Sequence, residues 1–288
     1  MSPFCTDPRS VAFADATIAR CDSYLAISGG YWFSVLHDSR VSHWAPKMIH
    51  VDLAVDRRDF PAIKRRFNAP GERRFLYIGS AAFFKNTHYL GEIAARMPGI
   101  TFRWIGADRR GIRGFTPLGY QDFSLEVARS LVAEHDFMLT VGVADPNPTT
   151  ILESMAWGLI PVCTPTSGYV GFPGIVNIPS DDVQEAVRIL RGLQATPELR
   201  LREMQAQNSE ALDRRFNWQR FTDQVLEAVR SDDSLPLLPE SIGQRVGLLG
   251  RSLASPISPF RLANLKLLCH RRCRVRLSRK APHTKARW

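Results

Sequence analysis

The chain lacks the features that mark several large protein classes. No apolar run approaches the roughly 18 residues that a membrane-spanning helix requires, so none of the 288 residues is expected to cross a bilayer. The opening stretch, Met1-Ser2-Pro3-Phe4-Cys5-Thr6-Asp7, has neither a basic region nor an apolar core. No secretory leader is expected, and the cytoplasm is the expected compartment. Cysteine is scarce. Cys5, Cys21, Cys163, Cys269 and Cys273 are odd in number and scattered, which suits reduced thiols better than a disulfide framework. Cys269 and Cys273 flank His270, but a metal centre needs further ligands close by and none is in sight. There is no internal repeat and no low-complexity segment.

Acidic residues are missing altogether from Gly243 to the end, where twelve Lys and Arg lie between Arg245 and Arg287. The whole chain has a formal net charge of +10, so this tail carries the excess and the body before it is near neutral. Such asymmetry points to a separate role for the tail. Val246-Gly247-Leu248-Leu249 and Leu262 to Leu268 set apolar residues beside the charges, a combination suited to an anionic membrane surface. A partner chain or a disordered tail is the alternative. Aromatic residues that would stack on nucleic-acid bases are sparse, with Phe260 and Trp288 at the edges; nucleic acid is the least expected partner.

What is present is an ordinary globular composition, 44% hydrophobic and 23% charged, with room for one large domain or two small ones. From Arg73 onward, short apolar runs alternate with helical patterns. Strands are predicted at Phe75–Ile78, Phe102–Ile105, Phe115–Gly119, Phe137–Val141, Ile160–Cys163 and Ile175–Ile178. Helices are predicted at Asn86–Met97, Leu125–Glu134, Val183–Leu193, Pro197–Ala211 and Trp218–Val229, with a further short one before Gly158. This alternation predicts an α/β fold, a Rossmann-like parallel sheet with helices on both faces. Such sheets bind ligands at the carboxyl ends of their strands. Before Arg73 the pattern gives a helix from about Phe13, a strand over Tyr24–Ser28, a polar turn at Gly29-Gly30 and a strand over Met48–Val51. Ser231–Glu240, with Pro236 and Pro239, reads as a linker. The expected divisions are therefore 1–72, 73–230 and 231–288.

The densest signal is Asp145-Pro146-Asn147-Pro148-Thr149-Thr150-Ile151-Leu152-Glu153-Ser154-Met155-Ala156-Trp157-Gly158-Leu159-Ile160-Pro161-Val162. An acid sits on a Pro-rich loop, and a second acid follows at the start of a short helix. Gly158 ends that helix and an apolar strand begins. A helix start of this kind offers backbone N–H groups to an anion, although Pro146 and Pro148 each remove one donor. Local chemistry leaves alternatives open. Thr150 and Glu153 have the spacing of a capping box. Asp145 before Pro146 suits an Asx turn. Lys85 opens a predicted helix, where the helix dipole disfavours a cation. Gly79, Gly106 and Gly119-Tyr120 end strands and read equally as turns. His37, His43, His50, His88 and His135 have no evident partners in the sequence.

This stretch resembles the donor-site signature of GT-B glycosyltransferases of the large retaining family 4. In that pattern an acid and a Glu, with seven residues between them, precede Ala/Ser-Met-Ala-x-Gly-x-Pro-Val. Cys21-Asp22 through Ser28, and Val55-Asp56, echo a passage upstream in the same enzymes. The resemblance implies a C-terminal donor-binding domain at 73–230, preceded by a remnant of the acceptor domain at 1–72. It implies a nucleotide-sugar donor, UDP- or GDP-linked, transfer to an acceptor hydroxyl with retention, and no metal or other cofactor. By position it assigns Glu153 to the ribose hydroxyls, Asp145 to the donor sugar and Lys85 to the diphosphate. Gly79, Ser80, Gly119, Asn147, Thr149 and Thr150 complete the implied donor site. Three departures stand out: Asp145 replaces the usual Glu, Ser80 stands where an Arg is usual, and Pro-Asn-Pro replaces a Gly-rich loop. The short front leaves three accounts open: an active enzyme, a donor-binding half that works with a separate acceptor-domain chain, or a non-catalytic scaffold.

Overall fold

Six short apolar runs after Arg73 become the strands of one sheet. They are β3 (Phe75–Ile78), β4 (Phe102–Ile105), β5 (Thr116–Pro117), β6 (Phe137–Thr140), β7 (Ile160–Cys163) and β8 (Val176–Asn177). All neighbouring pairs are parallel, in the order β5-β4-β3-β6-β7-β8. Counted from β3, this is the order 3-2-1-4-5-6 of dinucleotide-binding folds. The computed structural model describes residues 8–107 and 111–230. The chain divides into two units, 1–234 and 235–288. The linker and basic tail expected over 231–288, with Cys269 and Cys273, lie outside the described residues.

Alternation along the strands sends side chains to both faces. Phe75 and Tyr77 pack with Phe137, Leu139, Ile160 and Val162 under α3 (Thr87–Ala95) and α6 (Val183–Ala195). Leu76 and Met138 point the other way, against Val132 of α4 (Glu126–Ala133) and Trp157 of α5 (Thr149–Trp157). Near-continuous burial of β6 and β7 is what a sheet covered on both faces requires. α5 stops because Gly158 takes a left-handed conformation with φ 90°. There Leu159 N–H donates to Ser154 O at 2.9 Å. α7 (Glu198–Arg214) and α8 (Trp218–Arg230) complete the sheet lobe.

The front of the described chain is a small lobe. It contains α1 (Pro8–Ile18), β1 (Tyr24–Ala26), α2 (Gly30–Leu36) and β2 (Met48–His50), with β1 and β2 forming a two-stranded parallel sheet. Its core is Ala14, Ile18, Leu36, Val41 and Trp44. The polar turn expected at Gly29-Gly30 is instead the start of α2. Gly29 is its N-cap at φ 77°, and Trp32 and Leu36, four residues apart, bury one face. The small lobe is latched to the sheet lobe. Trp32 Nε1 donates to Thr166 O at 2.8 Å, and Asn147 Nδ2 donates to Ile27 O. Gly29 and Gly168 meet backbone to backbone; a Cβ on Gly29 would lie 2.8 Å from Gly168 O.

Candidate functional site

The sheet order reverses between β3 and β6. From β3 the chain crosses to β4 on one side, and from β6 it crosses to β7 on the other. The chain therefore leaves these two carboxyl ends toward opposite sides of the sheet, and this switch point is the usual ligand position in such sheets. Lys85 sits on the loop after β3 and Asp145 on the loop after β6. Val143 N–H donates to Phe84 O at 2.9 Å and ties the two loops together. Gly142 permits the approach, since a Cβ there would fall 2.7 Å from Asp145 Cβ. Thr164 and Thr166 hydroxyls both donate to Gly142 O and fix the loop from β7.

Lys85 Nζ donates to Asp145 Oδ2 at 2.5 Å. The side chains are 21% and 15% exposed, so the pair is partly desolvated yet reachable. Lys85 also lies over the Phe84 ring, 5.5 Å from its centre. The Asp145 carboxylate is thus engaged from the neighbouring loop. The conflict between Lys85 and a helix dipole is relieved, because a single 3-10 turn (Phe83–Lys85) and left-handed Asn86 separate it from α3.

Glu153 is not part of a capping box. α5 begins at Thr149 with Pro148 as N-cap and no side-chain cap, so Thr150 is already inside the helix and Glu153 lies in its second turn. The Thr149 hydroxyl donates to Glu153 instead. Burial raises the Glu153 carboxyl above the ordinary carboxylate range, and the Thr149 bond opposes this only in part. A desolvated carboxyl with one side-chain partner is suited to accepting hydrogen bonds from a diol.

Gly79, Gly106 and Gly119 gather at the carboxyl ends of β3, β4 and β5. Gly79 N–H donates to Ile105 O and Gly106 N–H to Gly119 O, at 3.0 and 3.1 Å. A Cβ on Gly106 would strike Gly79 O at 2.4 Å, so glycine is required there. Ser80 is exposed, and its carbonyl accepts from Tyr77 OH at 2.7 Å. Tyr120, beside Gly119, is 78% exposed.

Asn147 departs from expectation. Its N–H donates to Ser167 O at 2.9 Å and its side-chain amide to Ile27 O, so the donors expected to face a diphosphate are committed to the protein. Its left-handed backbone, φ 53°, is the physical reason, because it turns the residue toward the small lobe. What remains free is Oδ1. A separate cleft of about 430 Å³ lies on that side, between the lobes. His50, Tyr169 and Arg215 line it, and sequence reasoning gave none of them a role. They come from three distant segments with no shared motif. Among the described residues no cluster of His, Cys, Asp and Glu could hold a metal, and no helix is long and apolar enough to cross a membrane.

No protein-family profile and no curated protein sequence matches the chain. Solved structures do. Sucrose-phosphate synthase from Thermosynechococcus elongatus is similar at TM-score 0.63 and 15% identity, over 78% of this chain and 62% of that one. Anabaena HepE in complex with UDP gives 0.61 and 13%, over 80% and 70%. The lipopolysaccharide outer core galactosyltransferase WaaB gives 0.55 and 19%, over 73% and 62%. The chain thus spans 62% of the length of the synthase and of WaaB. These neighbours are GT-B glycosyltransferases, and the described chain has the Rossmann-like α/β architecture of that fold.

Proposed function

We propose that the protein is a retaining glycosyltransferase of the family 4 type, which moves a sugar from a UDP- or GDP-linked donor to an acceptor hydroxyl. The observation that carries this reading is the Lys85–Asp145 contact across the point where the strand order reverses. Lys85 would neutralise the departing diphosphate, the largest charge that develops in such a transfer. Asp145 would bind hydroxyls of the donor sugar, and Glu153 the ribose diol. The free N–H groups at the start of α5, from Thr149 and Thr150, would add a partial positive charge near the phosphates. Gly79, Ser80 and Gly119 would line the nucleotide side. The anomeric carbon–phosphate-oxygen bond breaks and the diphosphate keeps its electron pair. The acceptor oxygen bonds to the same carbon from the same face, and its proton leaves with the diphosphate. This reading calls for no metal and no cofactor. The acid-free tail would hold the enzyme at an anionic membrane surface.

A second reading, a nucleotide-sugar-binding scaffold without transfer, is favoured by one observation. Asn147 commits its backbone and side-chain donors to Ser167 O and Ile27 O, which takes them from the place where a departing diphosphate would need them. Nucleotide release from UDP-glucose, UDP-galactose and GDP-mannose decides between them. A transferase releases nucleotide from one donor and loses this in the Asp145→Ala/Glu153→Ala double variant. Binding of a donor without any release would leave the scaffold.

A further inference from the structure

The Lys85 ammonium and the Asp145 carboxylate neutralise each other at 2.5 Å. The loops that carry them do not depend on this pair alone. Val143 N–H bonds to Phe84 O at 2.9 Å, and the Thr164 hydroxyl donates to Gly142 O at 3.1 Å. Nor does a neighbouring hydroxyl stand ready to replace either charge. Burial, and after it the charge of Asp145, raise the Tyr77 pKa, so that phenol is close to the carboxylate. Its hydroxyl nevertheless donates to Ser80 O at 2.7 Å, which leaves Asp145 to Lys85. The Phe84 ring, 5.5 Å from the ammonium, favours the cation where it is.

A partly desolvated pair of this kind resists separation, because freeing one partner leaves the other charged and alone. The two groups are also complementary in kind. An ammonium only donates hydrogen bonds, and a carboxylate only accepts them. Phosphate oxygens can replace the carboxylate at Lys85, but they offer Asp145 nothing. Sugar hydroxyls can replace the ammonium at Asp145, but they return no negative charge to Lys85. A molecule that joins a sugar directly to a diphosphate carries both replacements a few bonds apart. It alone exchanges the internal ion pair for two satisfied groups. A site whose polar groups are completed by one ligand, and left unpaired by its fragment, discriminates strongly between them.

We infer that the Lys85–Asp145 pair is a selectivity element that favours a glycosylated diphosphate over the bare nucleoside diphosphate. The inference rests on the donor-site part of the transferase reading and deepens it. A bare diphosphate must share the ammonium with Asp145, so it binds weakly. Once the sugar has left, Asp145 loses its hydroxyl partners and takes Lys85 back, which promotes release of the nucleotide. Asp145 is thus a specificity residue that acts on the diphosphate through Lys85.

The test compares affinities by calorimetry on the full chain. The probes are UDP-glucose, UDP-galactose and GDP-mannose, each beside its bare diphosphate, UDP or GDP. The wild type should bind one sugar nucleotide at least tenfold tighter than the matching bare diphosphate. Asp145→Asn should bind that bare diphosphate tenfold or more tighter than the wild type does, and the preference for the sugar nucleotide should fall below threefold. Asp145→Ala should show the same gain, whatever the Asn amide does. The gain should vanish when Lys85→Ala is added. A residue that merely supports the loops gives the opposite sign, since its loss weakens every ligand. Equal or weaker binding of the bare diphosphate by both Asp145 variants would overturn the inference, as would a wild type without the preference. If the wild type turns over a sugar nucleotide while these affinities do not move, the inference alone fails. If the affinities move as expected and no donor is turned over, the selectivity stands and the transferase reading fails. Binding of no nucleotide by any of these proteins would sink both.

Discussion

Lys85 Nζ and Asp145 Oδ2 lie 2.5 Å apart although 60 residues separate them in the chain. They meet because parallel β3 and β6 are neighbours whose loops leave in opposite directions. The pair holds the two loops of the proposed donor site in one geometry, and it presents an ammonium where a diphosphate would lie. Lys85→Ala should weaken UDP binding about tenfold or more, the equivalent of one charge-assisted bond. It should also cost about 1–3 kcal/mol of stability, because a partly buried carboxylate is left unpaired. Adding Asp145→Asn to Lys85→Ala should recover part of the stability and none of the binding. Urea melts beside calorimetry separate the two effects.

Burial of the Glu153 carboxyl costs the folded protein stability near neutral pH. Burial raises its carboxyl above the 4.5 of an unfolded glutamate, so the folded state favours the protonated form. Below that unfolded value both states are protonated and nothing is lost. As pH rises through the folded pKa, ionisation costs the folded protein stability. Glu153→Gln should therefore raise Tm at pH 7, with the gain vanishing toward pH 4. A melt series over that range checks the sign. An unchanged or lower Tm at pH 7 would mean that the carboxylate has stronger partners than Thr149.

Gly29 and Gly168 set the spacing of the lobes. Both have left-handed backbones, φ 77° and 88°, and a Cβ on Gly168 would lie 2.7 Å from Ser28 O. Gly29→Ala or Gly168→Ala should cost about 1–3 kcal/mol and strain the Trp32–Thr166 latch, visible in tryptophan fluorescence. Gly30→Ala is the control. Nothing lies within 4 Å of a Cβ there, so that substitution should be neutral or slightly stabilising.

His135 makes the fold sensitive to acid. It is fully buried, with Nδ1 donating to Leu131 O at 2.8 Å and Nε2 unpartnered. Burial lowers its pKa from 6.5 to about 4. Between those values the unfolded chain takes up a proton that the folded one refuses, so stability falls as pH drops. The loss is on the order of 3 kcal/mol and should be smaller in His135→Gln. Equal pH slopes for the two proteins would contradict this account.

The sheet was legible because its strands are short apolar runs punctuated by Gly and its helices keep a 3.6-residue period. Gly158 and the apolar Ile160–Cys163 marked the end of α5 and the start of β7 to within a residue. The small lobe was less so. Gly29-Gly30 has the composition of a turn, and only packing of Trp32 and Leu36 makes it a helix start. Thr150 and Glu153 match a capping box by spacing, but Pro148 fits the N-cap backbone and moves the start of α5 forward. Lys85 and Asp145 were separately visible, while their contact depends on strand order. His50, Asn147, Tyr169 and Arg215 share no local pattern, so their convergence on one cleft emerges only in three dimensions.

The donor site is tested most directly by calorimetric titration of UDP and GDP into the full chain and into Glu153→Gln. Gln keeps the shape of the side chain and removes the charge, which should cost about 1.5 kcal/mol or more of binding. The account predicts micromolar binding of one nucleotide by the wild type, weakened about tenfold or more by the variant. No binding of either nucleotide, or equal affinity in the two proteins, would contradict a nucleotide-sugar site built on Glu153.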